Sequence, residues 1–182
     1  MSPTADELAE EIVRETQRCL DGCLERIGHC LRQLTDEQVW WRPQPEMNAI
    51  GNLVLHLTGN IRQWVISGLG GAADVRTRPR EFAERGPIPK DEILAGLTSV
   101  VREAKVVLSR QTPEQLLKRR RIQGFDVTGV GAIFDCVPHF RGHTQEIICL
   151  TRMQKGEAYQ FFWEPTTPEQ VADTSVKSSG GF

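Results

Sequence analysis

The sequence predicts an all-α protein, a bundle of four long helices, on three observations. Apolar residues recur at spacings of three, four and seven in four separate stretches, the period of amphipathic helices. Thr4-Ala5-Asp6-Glu7, Thr35-Asp36-Glu37-Gln38 and Thr112-Pro113-Glu114-Gln115 have the form of helix-opening caps, a side-chain oxygen followed three residues later by Glu or Gln. A chain of 182 residues fits one domain and can bury a core without disulfides or metal staples.

The first helix is expected over residues 4–34, with Leu8, Ile12, Cys19, Cys23, Ile27, Cys30 and Leu34 on one stripe. His29 projects away from that stripe and reads as a surface residue. The second capping box opens a short turn that carries Trp40 and Trp41 and closes at Pro43 and Pro45. A second helix follows over 48–67, its wide apolar face made by Ile50, Leu53, Val54, Leu57, Ile61, Trp64 and Val65. His56 and Asn60 lie side by side on the shoulder of that face.

Residues 69–89, rich in Gly, Pro and Arg, form a connector longer than antiparallel neighbours require. Such a connector can carry the chain back across the bundle, so that helices two and three run parallel. Helix three, 90–110, presents Ile93, Leu97, Val100, Ala104, Val107 and Leu108 and contributes no histidine. Residues 116–129 mix a basic run with Ile122, Phe125 and Val127 among glycines and read as a short hairpin or irregular loop. Helix four, 131–154, contains Ile133, Phe134, Val137, Phe140, Ile147, Ile148 and Leu150, with Pro138 inside it predicting a kink. Phe161, Phe162 and Trp163 are expected to pack across an end of the bundle. The domain is drawn as residues 1–164, and the tail 165–182 is expected to be poorly ordered.

A net charge of −2, with 39% hydrophobic and 25% charged residues, provides no positive field to gather nucleic acid or an anionic membrane. Lys118-Arg119-Arg120-Arg121 is the one basic cluster and reads as a solvated helix end or loop. No apolar run approaches the roughly 20 residues that span a bilayer, and the first residues are too charged for a signal peptide. The expected location is the cytoplasm. The five cysteines then read as reduced thiols, with Cys19, Cys23 and Cys30 as small hydrophobes on the first helix.

The most informative segment is His139-Phe140-Arg141-Gly142-His143, with Glu146 three residues on. Four helical residues turn the chain through about 400°, so both imidazoles rise on one face a turn apart. Of the two other histidines, only His56 occupies another strongly apolar helix. Three converging imidazoles suit Zn, Ni, Cu or Fe and leave a coordination position open, as in catalytic sites. Each histidine could instead be an ordinary core or boundary residue. Against that stand the coincidence of all three on helices able to adjoin and the nearby Asn60 and Glu146 as partners for the rings.

Leu34 to Gln38 with Arg42-Pro43, the run His56-Leu57-Thr58-Gly59-Asn60, the stretch His139 to Ile147, and Phe161-Phe162-Trp163 together resemble the DinB-like superfamily, in its uncharacterised DinB/YfiT-like bacterial branch. The resemblance covers residues 5–163. It implies a four-helix bundle of up-down-down-up order, often a homodimer, holding a divalent metal on three histidines, which fall here on His56, His139 and His143. Zn or Ni is the first expectation, with Fe or Mn next. Related proteins include thiol-dependent S-transferases and isomerases using bacillithiol or mycothiol, which implies a small-molecule substrate and a low-molecular-weight thiol. Two positions depart from the pattern: Glu146 stands where glutamine is usual, and Pro138 precedes the histidine pair. The expected function is thus a metal-dependent transferase or hydrolase with Glu146 as orienting group or proton relay, and the rival is a non-catalytic metal-binding or structural bundle.

Overall fold

Thr4 opens α1 (Ala5–Arg32) with a complete capping box: its hydroxyl accepts from the Glu7 amide, and the Glu7 carboxylate accepts from the Thr4 amide at 2.7 Å. The computed structural model describes residues 2–163, and the tail 165–182 lies outside them. Thr35 caps α2 (Asp36–Trp40) in the same way. The second long helix runs as α3 (Ile50–Ile61) and then widens into a π-helical segment, Arg62–Ser67. Next come α4 (Arg78–Ala83), α5 (Lys90–Leu108) and α6 (Pro113–Leu117). An antiparallel hairpin of β1 (Arg119–Ile122) and β2 (Phe125–Thr128) precedes α7 (Gly129–Lys155).

The fold is therefore mostly helical, with one two-stranded sheet among the described residues. The four long helices surround one core: α1 packs on α7 and α5, and α3 on α5 and α7. Leu20, Ile27, Leu31, Ile50, Leu53, Leu57, Leu97, Leu108, Phe140 and Ile147 are all but sealed from solvent. Burying each such side chain stabilises the fold by about 1.5–3 kcal/mol. None of the described helices is long and apolar enough to cross a membrane.

The expected stripe of α1 is correct only in its second half. Cys23, Ile27, Cys30 and Leu34 are buried, but Leu8 is 61% exposed, and the core is filled instead by Ala9, Val13, Thr16 and Leu20. The N-terminal half carries two apolar flanks, and on the bulkier one Leu8 faces outward while Ile12 and Cys19 are half-buried at the edge of the core. There Ile12 and Cys19 join Ile133, Phe134, Val137 and Pro138 of α7 in an apolar surface groove. Phe161 to Trp163 are not buried across an end. They lie on the surface of the α1 and α7 ends, Phe162 edge-on to His29 at 5.5 Å and Phe161 below Arg152.

The hairpin expected within 116–129 is present: Lys118 caps the end of α6, and Arg119 to Arg121 lie in strand β1. The Arg120 guanidinium, half-buried where its neighbours are exposed, donates to the carbonyls of Gly68, Leu69 and Gln115. That role ties the hairpin to the end of the π-helical segment and leaves less of the cluster for an external anion. The helix α7 continues unbroken through Pro138. The 69–89 connector is not a plain link: α4 folds onto α3 and delivers side chains to its histidine.

Candidate metal centre

His139 and His143 stand one turn apart on α7, their ring centroids 4.5 Å apart and their planes nearly perpendicular. His56 reaches them from α3, with centroids 5.0 Å from His139 and 5.1 Å from His143. The donor nitrogens of all three lie within 4.8 Å of one another. The Nε2 atoms of His56 and His139 face each other at 2.9 Å.

Two carboxylates orient this group from outside. Glu81 of α4 meets His56 Nδ1 at 2.9 Å, and Glu146 of α7 meets His143 Nδ1 at 2.8 Å. An ionised carboxylate can only accept, so a hydrogen on Nδ1 of His143 points to Glu146 and leaves its Nε2 lone pair for the centre. His56 Nδ1, by contrast, has both the Glu81 acceptor and the Arg76 Nη2 donor, at 3.0 Å, within reach. Glu81 is itself held by Arg76, whose Nε donates to Oε1 at 2.7 Å and Nη2 to Oε2 at 2.8 Å. The pair is enclosed, with side chains 3% and 10% exposed. Burial would raise the Glu81 pKa, but the hydrogen bonds from Arg76 and His56 outweigh it and hold the carboxyl below its ordinary value.

Gly59 makes this approach possible. It lies three residues after His56, and a β-carbon there would collide with the Glu81 carboxylate and crowd Arg76 Nε. Phe82, next to Glu81, packs on the His56 ring with centroids 4.8 Å apart. Asn60 does not join the histidines as expected. Its Oδ1 accepts from the buried Cys136 thiol at 3.4 Å, because one further residue along α3 points it into the core beside α7. His29 is also separate: its Nε2 lies 2.6 Å from the Gln160 carbonyl, which straps the C-terminal segment to α1.

The donor set fits a divalent ion. An imidazole–metal distance of about 2.0–2.1 Å places neighbouring ligand nitrogens roughly 3 Å apart, the scale of the His56–His139 separation. His139 is also in the state a ligand needs, since burial, then the neighbouring His143 and His56, depress its pKa from 6.5 to about 4. The sign of that shift gives a test on metal-free protein. The unfolded chain takes up a proton near pH 6.5 that the folded one refuses until about pH 4, so stability falls as pH drops through that window. Glu81, with its lowered pKa, adds a further loss at the acid end of it. Chemical denaturation at pH 7.5 and pH 5 should show the lower midpoint at pH 5.

A cavity of about 270 Å³ opens beside the histidines, lined by His56, His139, Asn60, Trp64, Arg76, Arg78, Gln123, Phe125 and Asp135. Its walls come from α3, the connector, the hairpin and α7, which explains why a hairpin is packed there. Sequence reasoning named the histidines and Glu146 but missed Arg76, Glu81 and Phe82, which sit in a segment without periodic pattern. The available signal was the connector's length, since a stretch that long in a small domain commonly has a function.

Residues 7–167 match a family described as a protein of unknown function, DUF1572. The chain belongs to the DUF1572 family. No curated protein matches the chain. Among solved structures, a conserved protein from Enterococcus faecalis is 18% identical over 77% of this chain and 95% of its own, with a TM-score of 0.66. A DinB-like protein from Bacillus cereus is 19% identical over 83% of this chain and 91% of its own, with a TM-score of 0.55. At these identities the likeness shows the fold. The fold is the one this chain shares with that DinB-like protein, in keeping with the fold that the motifs around His56 and His139 implied.

Proposed function

We propose that the protein is a metal-dependent enzyme of the DinB-like kind, in which His56, His139 and His143 hold one divalent ion, Zn or Ni first and Fe or Mn next. The observation that carries this reading is the convergence of three imidazoles from two helices with two of them backed by carboxylates. When bound, the ion supplies Lewis acidity, lowering the pKa of a water or thiol in its open position. The chain's own residues then do the rest. Glu81 and Arg76 fix the His56 ring, and Glu146, 40% exposed, fixes His143 and is placed to exchange a proton with solvent. Trp64, Phe125 and Arg78 shape the space in which a small molecule meets the centre.

The substrate class in this reading is a small electrophile with a low-molecular-weight thiol as nucleophile, or with water in a hydrolase. The reading includes the up-down-down-up order of the four long helices, supported by their ring of packing and by the connector between α3 and α5. It also includes a cytoplasmic location, one 1–164 domain per chain and a homodimer, the last supported by the apolar α1–α7 groove bearing exposed Phe134.

The test is catalytic. Protein stripped by chelation and reloaded with Zn or Ni should consume glutathione or cysteine in the presence of a small epoxide or aryl halide, or hydrolyse an activated ester. The metal-free protein and His143→Ala should not. An equal rate with and without metal across such a panel would favour the non-catalytic bundle.

A further inference from the structure

Two arginines line the cavity beside the histidines, and they are not equivalent. Arg76 is committed to Glu81 through two hydrogen bonds and to Gln63 through a third. Among the described residues, no hydrogen bond or ion pair engages the guanidinium of Arg78. It is nevertheless placed: its Cζ lies 5.0 Å from the Phe82 ring centroid, and Phe82 in turn packs on His56. A cation–π contact uses none of the guanidinium N–H donors for hydrogen bonding, and such a fork can read a carboxylate in bidentate fashion. Arg78 over Phe82, with Phe82 tilted by 39° on His56, therefore presents an exposed cationic fork beside the histidine centre.

Another part of the lining is aromatic. Trp64 and Phe125 stack with centroids 6.5 Å apart and planes inclined by 28°. The indole N–H is already satisfied by Gln123 Oε1 at 3.3 Å, so this wall offers apolar surface. Phe125 is 60% exposed on the hairpin, which is surface the core does not use. Asp135 is the acidic member of the lining and repels negative charge, so an anion is held there against it by Arg78, and each added charge meets more repulsion. The volume, about 270 Å³, lies at the small end of ligand pockets.

We propose that this cavity takes a small organic monoanion, a carboxylate with an aromatic or apolar body, its charged end paired with Arg78 and its body against Trp64 and Phe125. The assignment rests on the proposed metal centre, which it supplies with a substrate class. Recognition itself is done by Arg78 and the aromatic wall. Benzoate and its neutral analogue benzamide are the probes, titrated calorimetrically into zinc-treated wild type, Arg78→Gln and Phe125→Ala, with the zinc content of each sample measured. Benzoate should bind wild type more tightly than benzamide does. Arg78→Gln should weaken benzoate about tenfold or more while leaving benzamide and zinc content unchanged. Phe125→Ala, at an exposed position, should weaken both probes.

Equal benzoate affinity in wild type and Arg78→Gln overturns the proposal, as does failure of both probes to bind wild type. Zinc content separates the two ideas. Protein that takes up no zinc yet shows the Arg78-dependent preference sinks the metal centre and leaves the anion site standing. Full zinc without that preference does the reverse.

Discussion

His143→Ala is expected to lose stoichiometric metal binding while keeping its fold. His143 is only partly buried, its side chain 23% exposed, so truncation leaves little cavity, whereas it removes one of three donors from the centre. Wild type at a free metal concentration of 100 Kd gains about 2.7 kcal/mol of stability, and the variant should gain nothing measurable. His29→Ala is the matched control. It deletes an imidazole bound to the Gln160 carbonyl and should leave metal uptake intact while loosening the C-terminal strap. Calorimetric titration of metal into the chelator-treated proteins, with thermal unfolding on the same samples, checks both. Equal uptake by His143→Ala and wild type would remove His143 from the ligand set.

Glu81→Gln is the second large effect, and it acts on stability and metal affinity by separable routes. The substitution keeps an acceptor near His56 Nδ1 but leaves the Arg76 guanidinium, 3% exposed, without its counter-charge. Removing one member of a buried ion pair destabilises by about 3–5 kcal/mol. Loss of the carboxylate behind a ligating imidazole lowers metal affinity by roughly 10–100-fold. The double variant Arg76→Met/Glu81→Gln removes the stranded charge, so it should recover most of the stability and little of the affinity. Full recovery of both would mean that Glu81 serves the fold alone. Gly59→Ala should reproduce the affinity loss from the other side, because its new methyl would force the Glu81 carboxylate away from His56. Equilibrium denaturation paired with zinc titration reads all three variants.

The centre was legible in the sequence where helical periodicity governed it. Helix geometry alone aligns His139 with His143, four residues apart, whereas His56, on another helix, was brought out by its apolar setting and by the resemblance. Glu146 was legible for the same reason, lying three residues from His143 on one face. Arg76, Glu81 and Arg78 were not, since their positions depend on how a connector folds back onto α3, a tertiary choice that leaves no period in the chain. Gly59 was visible as part of a motif, but its purpose emerges only from the carboxylate opposite it. The rotated stripe on α1 has a comparable origin. Leu8, Ile12 and Cys19 form as regular a pattern as Ala9, Val13 and Leu20, and periodicity cannot tell which flank faces the core.

Metal analysis of protein purified without a histidine tag or chelating column tests the central claim most directly. The three-histidine centre predicts close to one equivalent of a divalent transition metal per chain, and a thermal shift on adding Zn or Ni to stripped protein. Less than a tenth of an equivalent, together with no shift on adding either ion, would contradict it.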